Sequence, residues 1–105
     1  MLKKHFRPLK SEDVPFVVDA WLKGYAASNR NIKIKGGTDN HRSLILACLK
    51  KYNTLICCNE DDQDQIFGFI NYFTYDDVFV TNYIYTKELF KRLGVATGLY
   101  KELGM

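Results

Sequence analysis

Apolar residues return at helical spacing early in the chain. Val14, Val17, Val18, Trp21, Leu22 and Tyr25 form one face of a predicted helix. Glu12 and Asp13 sit where the helix dipole favours acids, Ser11 is the expected cap, and Pro15 is tolerated in a first turn. Before this helix, His5–Leu9 reads as a strand. Pro8 cannot donate to a sheet ladder, so that strand belongs at an edge or turns its proline away from a partner. Residues 26–40 carry no period and read as a long irregular loop. A second helix is expected from Thr38 or Asp39 to Tyr52, with His41, Leu44, Ile45, Cys48, Leu49 and Tyr52 along one side.

Beyond Tyr52 the period changes from helix to strand. Asn53–Cys58 and Gln65–Tyr75 flank the polar turn Asn59–Asp64 and predict a hairpin. In the second of these strands Phe67, Phe69 and Phe73 are assigned to one face, and Ile66, Ile70 and Tyr72 to the other. Apolar residues on both faces predict a central strand covered on both sides, and Gly68 within it predicts a bulge or a close contact. Asp76-Asp77 turns the chain into a third such strand, Val78–Tyr85, and Thr86–Met105 reads as helical around a glycine-bearing turn. The order is strand, two helices, three strands and a helix. That predicts an α+β fold with an antiparallel meander.

A length of 105 residues sets the domain count at one. Seven Tyr, seven Phe and one Trp supply the apolar surface for a core, which excludes a disordered chain. No apolar run approaches the ~20 residues of a membrane helix. The basic start Met1–Pro8 lacks the apolar segment of a secretory signal, so the expected compartment is the cytoplasm. Cys48, Cys57 and Cys58 are an odd number without zinc spacing. The adjacent pair should point to opposite sheet faces, so neither a metal site nor a disulfide framework is expected. Net charge is +3, with eight Lys/Arg against three acids in residues 1–35 and six acids without a base in residues 59–77. Lys3, Lys4, Arg7, Lys10, Arg30, Lys33 and Lys35 could form a basic surface. They lack an aromatic stacking platform, and nucleic acid ranks last among the partners considered.

The chemistry concentrates in Tyr83–Ala96. A buried strand runs into a polar turn, and Lys91-Arg92 precedes Gly94-Val95-Ala96 at a candidate helix start. Small residues let a ligand approach the backbone, and the first turn of a helix offers unpaired N–H groups to an anion such as a diphosphate. Val95, Ala96, Leu99, Tyr100 and Leu103 would dock that helix on the sheet. The alternative is a single helix over Lys87–Leu93, capped by Thr86 and stopped by Gly94.

The whole layout resembles the GNAT acyltransferase superfamily. Its phosphate turn follows Arg/Gln-x-x-Gly-x-Gly/Ala, matched here by Lys91-Arg92-Leu93-Gly94-Val95-Ala96 with Lys in first place. Phe6–Leu9 with Glu12-Asp13 resembles the family's opening, and Ile66–Phe69 its third strand. Asp13–Tyr25 with Tyr83–Ala96 resembles small GNAT-like proteins encoded by bacteriophages. The resemblance implies the N-terminal part of a GNAT-like fold: a four-stranded, mostly antiparallel sheet with helices on both faces. With the sequence ending at Met105, it also implies a domain truncated after the helix that follows the phosphate turn.

Carried over by position, the resemblance implies that acetyl-CoA lies along the last strand. Ile84, Tyr85 and Thr86 would pair with the pantetheine arm; Arg92, Leu93, Gly94, Val95 and Ala96 would hold the pyrophosphate, with Thr97 nearby and charge from Lys91 and Arg92. An amine of a small molecule or a protein lysine would take the acetyl group. The Val78–Tyr85 strand has no Glu or Asp, so Tyr83 and Tyr85 are the candidates for proton chemistry, alongside the polar Thr81 and Asn82. Both tyrosines also suit plain packing, and His41 suits a half-buried structural role. The bare edge of this strand is expected to pair with a second copy or a partner protein. The alternative function is a GNAT-like interaction protein without catalysis, such as a phage factor that binds a host protein.

Overall fold

The computed structural model describes residues 2–28 and 37–104, with side chains described for residues 2–24 and 41–104. In chain order the elements are β1 (Lys4–Pro8), α1 (Val14–Ser28), α2 (Gly37–Lys51), β2 (Asn53–Asn59), β3 (Ile66–Tyr75), β4 (Val78–Thr86) and α3 (Val95–Glu102). The four strands form one sheet in the order β1-β2-β3-β4, every neighbouring pair antiparallel. Pro8 therefore lies in an edge strand, opposite Leu55.

The sheet is covered on both sides. Val17, Val18 and Trp21 of α1 and Ile45 of α2 pack with Ile56, Cys58, Ile66 and Phe69 on one face. Val95 and Leu99 of α3 pack with Cys57, Phe67 and Ile70 on the other, where Leu103 and Tyr100 join them. Cys57 and Cys58 enter opposite cores, as the two-residue period of a strand dictates. Burial pushes the Cys57 thiol up to about 11 and raises that of Cys58.

Two bulges break the ladder. Cys57 faces Gly68 while Cys58 faces Ile66, so Phe67 is extra and β3 shifts its phase. The assignment of Phe67 to the face of Phe69 and Phe73 is thereby corrected: Phe67 lies under α3 and Phe69 under α1. Gly68 is required here, because a Cβ would collide with the Tyr85 carbonyl oxygen and meet Val95 Cγ1 at 2.9 Å. The second bulge is in β4. Asn71 faces Tyr83 and Tyr72 faces Thr81, which leaves Asn82 without a register partner.

The first helix also starts differently from expectation. Ser11–Asp13 form a 3-10 turn and α1 begins at Val14, so Ser11 caps nothing. The Asp13 carboxylate instead takes the Lys10 backbone N–H at 2.8 Å and two Arg7 guanidinium N–H groups at 2.6 and 3.0 Å. Arg7 donates further to the Gln63 carbonyl, tying β1 to the β2–β3 turn. Arg7 is thus a buried structural cation and leaves the proposed basic surface. The expected loop over 26–40 is corrected at both of its ends. Residues 26–28 and 37–40 are helical, and 29–36 lie outside the described residues, together with Arg30, Lys33 and Lys35.

Candidate functional site

Lys87 closes β4 by donating its N–H to the Phe67 carbonyl at 2.9 Å. A single 3-10 turn, Glu88–Phe90, follows, and the chain then turns through Lys91–Gly94 into α3. A helix over Lys87–Leu93 is therefore not formed, and among the described residues from Thr86 onward there is one α-helix. Gly94 is the residue before its first turn, at φ 84°, a conformation open to glycine and strained for other residues.

The first turn of α3 leaves donors without helix partners. Its earliest bond runs from Gly98 N–H to Gly94 C=O at 2.9 Å, and no side chain caps the helix. The N–H groups of Val95, Ala96 and Thr97 consequently have no acceptor within the helix. Those of Arg92 and Gly94 donate to no backbone carbonyl among the described residues. Leu93 differs: its N–H reaches the Phe90 carbonyl at 3.4 Å, and its own carbonyl accepts the Lys4 ammonium at 3.1 Å.

Thr86, Lys91, Arg92, Gly94, Val95, Ala96 and Thr97 surround an open cleft of about 330 Å³ over these donors. A second cleft, of about 490 Å³, lies between α1 and β4, lined by Ala20, Lys23 and Gly24 on one side and Tyr83, Ile84, Tyr85 and Thr86 on the other. Thr86 and Lys91 border both clefts, so the two adjoin along the end of β4. Lys91 is held 2.8 Å from Glu88 in an exposed pair.

Strand alternation decides what β4 offers at its free edge. Lys87 bonds to Phe67, and an unbroken register pairs Thr86 with Gly68, Tyr85 with Phe69 and Ile84 with Ile70. In an antiparallel ladder alternate residues face the partner, so Tyr85 turns its backbone groups toward β3. Ile84 and Thr86 turn theirs outward, where no strand among the described residues meets them.

The two tyrosines are held by rings. Tyr83 stacks on Trp21 with centroids 4.9 Å apart and planes at 10°, and its hydroxyl lies where a Cβ on Gly24 would stand. Tyr85 stacks on Phe69 at 5.3 Å and meets the edge of Phe16. Both line the α1–β4 cleft. His41 is half-buried on α2, a helix whose described side chains line neither cleft. Among the described residues, no three His, Cys, Asp or Glu side chains cluster as a metal site would require.

Sequence reasoning missed two contributions. Lys4 comes from the far edge strand to the phosphate-type turn, and position 4 carries no local signal of that. Asn71 and Asn82 join through the β4 bulge, with Asn82 Nδ2 donating to Asn71 Oδ1 at 2.9 Å. A single asparagine in each of two strands gives no hint of the pairing until register is known.

A meander flanked by α1 and α2 on one face and α3 on the other, with its last strand running into an uncapped helix start, is a GNAT-like α+β architecture. Solved acetyltransferases share it. A possible acetyltransferase from Clostridium difficile 630 superposes with TM-score 0.74 at 13% identity, over 97% of this chain and 69% of that one. A GNAT-family acetyltransferase from Staphylococcus aureus Mu50 gives TM-score 0.65 at 13% identity, over 94% and 63%. A predicted acetyltransferase from Clostridium acetobutylicum, solved with acetyl-CoA, gives 0.60 at 14%, over 95% and 70%. The chain thus spans about two thirds of the length of these proteins. No protein-family model and no curated protein matches the sequence. No described helix is long and apolar enough to cross a membrane.

Proposed function

We propose that this chain binds acetyl-CoA along the free edge of β4 and transfers its acetyl group to an amine, on a small molecule or a protein lysine. The observation that carries the reading is the uncapped start of α3, where the N–H groups of Val95, Ala96 and Thr97 line up behind Gly94 at the positive end of a helix dipole. A pyrophosphate there would accept those hydrogen bonds, with the Arg92 and Gly94 amides beside them and cationic side chains on Lys91 and Arg92. Lys4, bound to the Leu93 carbonyl, adds charge from β1. Ile84 and Thr86 would exchange edge hydrogen bonds with the pantetheine amides, which brings the thioester up the strand toward Tyr83.

In this arrangement the chain's own contribution is positioning and desolvation. Fixing the thioester against β4 removes much of the entropic cost of the bimolecular step. Tyr83, its ring stacked on Trp21 and its hydroxyl against Gly24, lines the α1–β4 cleft and is the candidate for proton movement, with Tyr85 next to it.

Calorimetric titration with CoA tests the reading. Micromolar binding that Gly94→Asp abolishes is the expected result, because an aspartate at φ 84° adds strain and a negative charge at the anion position. No heat at millimolar CoA would overturn it.

The bare β4 edge favours a second reading, a GNAT-like protein that binds a partner chain without catalysis, as a phage factor would a host protein. Exposed N–H and C=O groups on this strand could take a strand from a second copy or from another protein.

A further inference from the structure

We propose that Asn82 makes the contact that orients the acceptor amine, with Asn71 as the positioning residue that sets its polarity; this rests on the coenzyme reading above. Asn71 is fully buried in the sheet, and its hydrogen bonds can be assigned without choice. Its Nδ2 lies 3.4 Å from the Cys48 carbonyl oxygen, which can only accept, and 3.0 Å from Thr54 Oγ1. Its Oδ1 must therefore face Asn82. Asn82 must answer with Nδ2, at 2.9 Å. That leaves Asn82 Oδ1 without a hydrogen bond among the described residues.

Three features aim this oxygen at function. Asn82 is the extra residue of the β4 bulge, on an edge strand and only half-buried. The next residue, Tyr83, lines the α1–β4 cleft in which the thioester would lie. The relay also runs through an otherwise apolar core, where a lone asparagine is costly unless all of its groups are matched. Thr54, Cys48 and Asn71 meet that condition, and the relay ends at one fixed acceptor on the free edge of the sheet.

An amide oxygen at this point holds one N–H of the incoming amine and directs the nitrogen lone pair at the thioester carbonyl. The nitrogen bonds to that carbon, the carbon–sulfur bond breaks, and the proton released by nitrogen ends on the coenzyme thiol through solvent. The products are the acetamide and free CoA, and no further reactant is needed.

Thiol release from acetyl-CoA, with spermidine, glycinamide and Nα-acetyl-lysinamide as probe amines, tests the assignment on the full chain. Asn82→Ala should lower kcat/KM for the reactive amine roughly 10-fold, the value of one lost oriented hydrogen bond. The KM for acetyl-CoA should stay at its wild-type value, while the melting temperature should fall by several degrees, because the buried Asn71 oxygen loses its donor. Asn82→Ser, which keeps an oxygen able to pair with Asn71, should recover part of the loss. An unchanged amine kcat/KM in Asn82→Ala overturns the proposal. So does a loss shared equally with the coenzyme KM, or bound acetyl-CoA with no thiol release on any of the three amines. Failure of the underlying reading gives a different signal, the absence of CoA binding in the wild-type chain, and the proposal falls with it.

Discussion

Arg92 holds φ at 68°, a left-handed conformation that costs an L residue about 1 kcal/mol and glycine almost nothing. Arg92 lies in the turn that precedes α3, so the strain sits in the lining of the proposed anion cleft. Replacing Arg92 by Gly should raise stability by roughly 1 kcal/mol, or about 5 °C in thermal midpoint by circular dichroism. It should also weaken CoA, since a cation leaves the cleft. A fall in stability would show that the guanidinium contributes more than the backbone loses. At the other end of the chain, burial pushes the Asp13 carboxyl upward, but hydrogen bonds from Arg7 and the Lys10 amide outweigh it and hold it below its ordinary value. Unfolding in acid must then bind a proton. The pair's contribution is complete above the unfolded carboxylate value of about 3.9 and is lost as pH falls below it. Asp13→Ala, which strands a buried guanidinium, should cost about 3–5 kcal/mol in urea denaturation at pH 7. The difference from wild type should shrink steadily below about pH 4, and one independent of pH would contradict this account.

The β3–β4 pair and α3 work as one element, since Gly68 brings the strand backbone against Tyr85 and lets Val95 settle over it. A methyl group at position 68 has no space, because backbone on one side and a core side chain on the other cannot both retreat. Gly68→Ala should destabilise the fold by about 2 kcal/mol, an overpacking cost, and should lower CoA affinity by shifting the start of α3. Wild-type melting behaviour with wild-type affinity would refute the coupling. Much of this element was legible in advance. Alternating apolar residues announced the strands, Gly68 announced a bulge or a close contact, and Gly94 before Val95-Ala96 announced a helix start. The phase of β3 was not legible, because the bulge that moves Phe67 to the other core is defined only against Cys57 and Cys58 in β2.

Seen as a whole, the molecule presents one edge with a proline in it and another without. Pro8 blunts β1, whereas β4 exposes Ile84 and Thr86 backbone groups and begins at Val78, 60% exposed, with Leu89, 82% exposed, in the turn that follows. Such an edge favours strand addition. Without CoA, light scattering at high micromolar concentration should report a dimer, which a proline at Ile84 should return to monomer and which CoA, needing the same edge groups, should dissociate. A clean wild-type monomer would leave a heterologous partner as the only strand to add.

Order of elements, the two-sided burial of β3, the choice for β1 between a sheet edge and a proline turned from its partner, and the opposed cysteines all followed from the amino-acid sequence. Each depends on a period of two or 3.6 residues, or on a proline's missing donor, and those are properties of neighbours along the chain. The Arg7–Asp13 pair, the reach of Lys4 to Leu93 and the Asn71–Asn82 relay were decided by tertiary structure alone. Each joins residues whose separation is set by strand register and layer packing, and a bulge of one residue is enough to change which side chains meet.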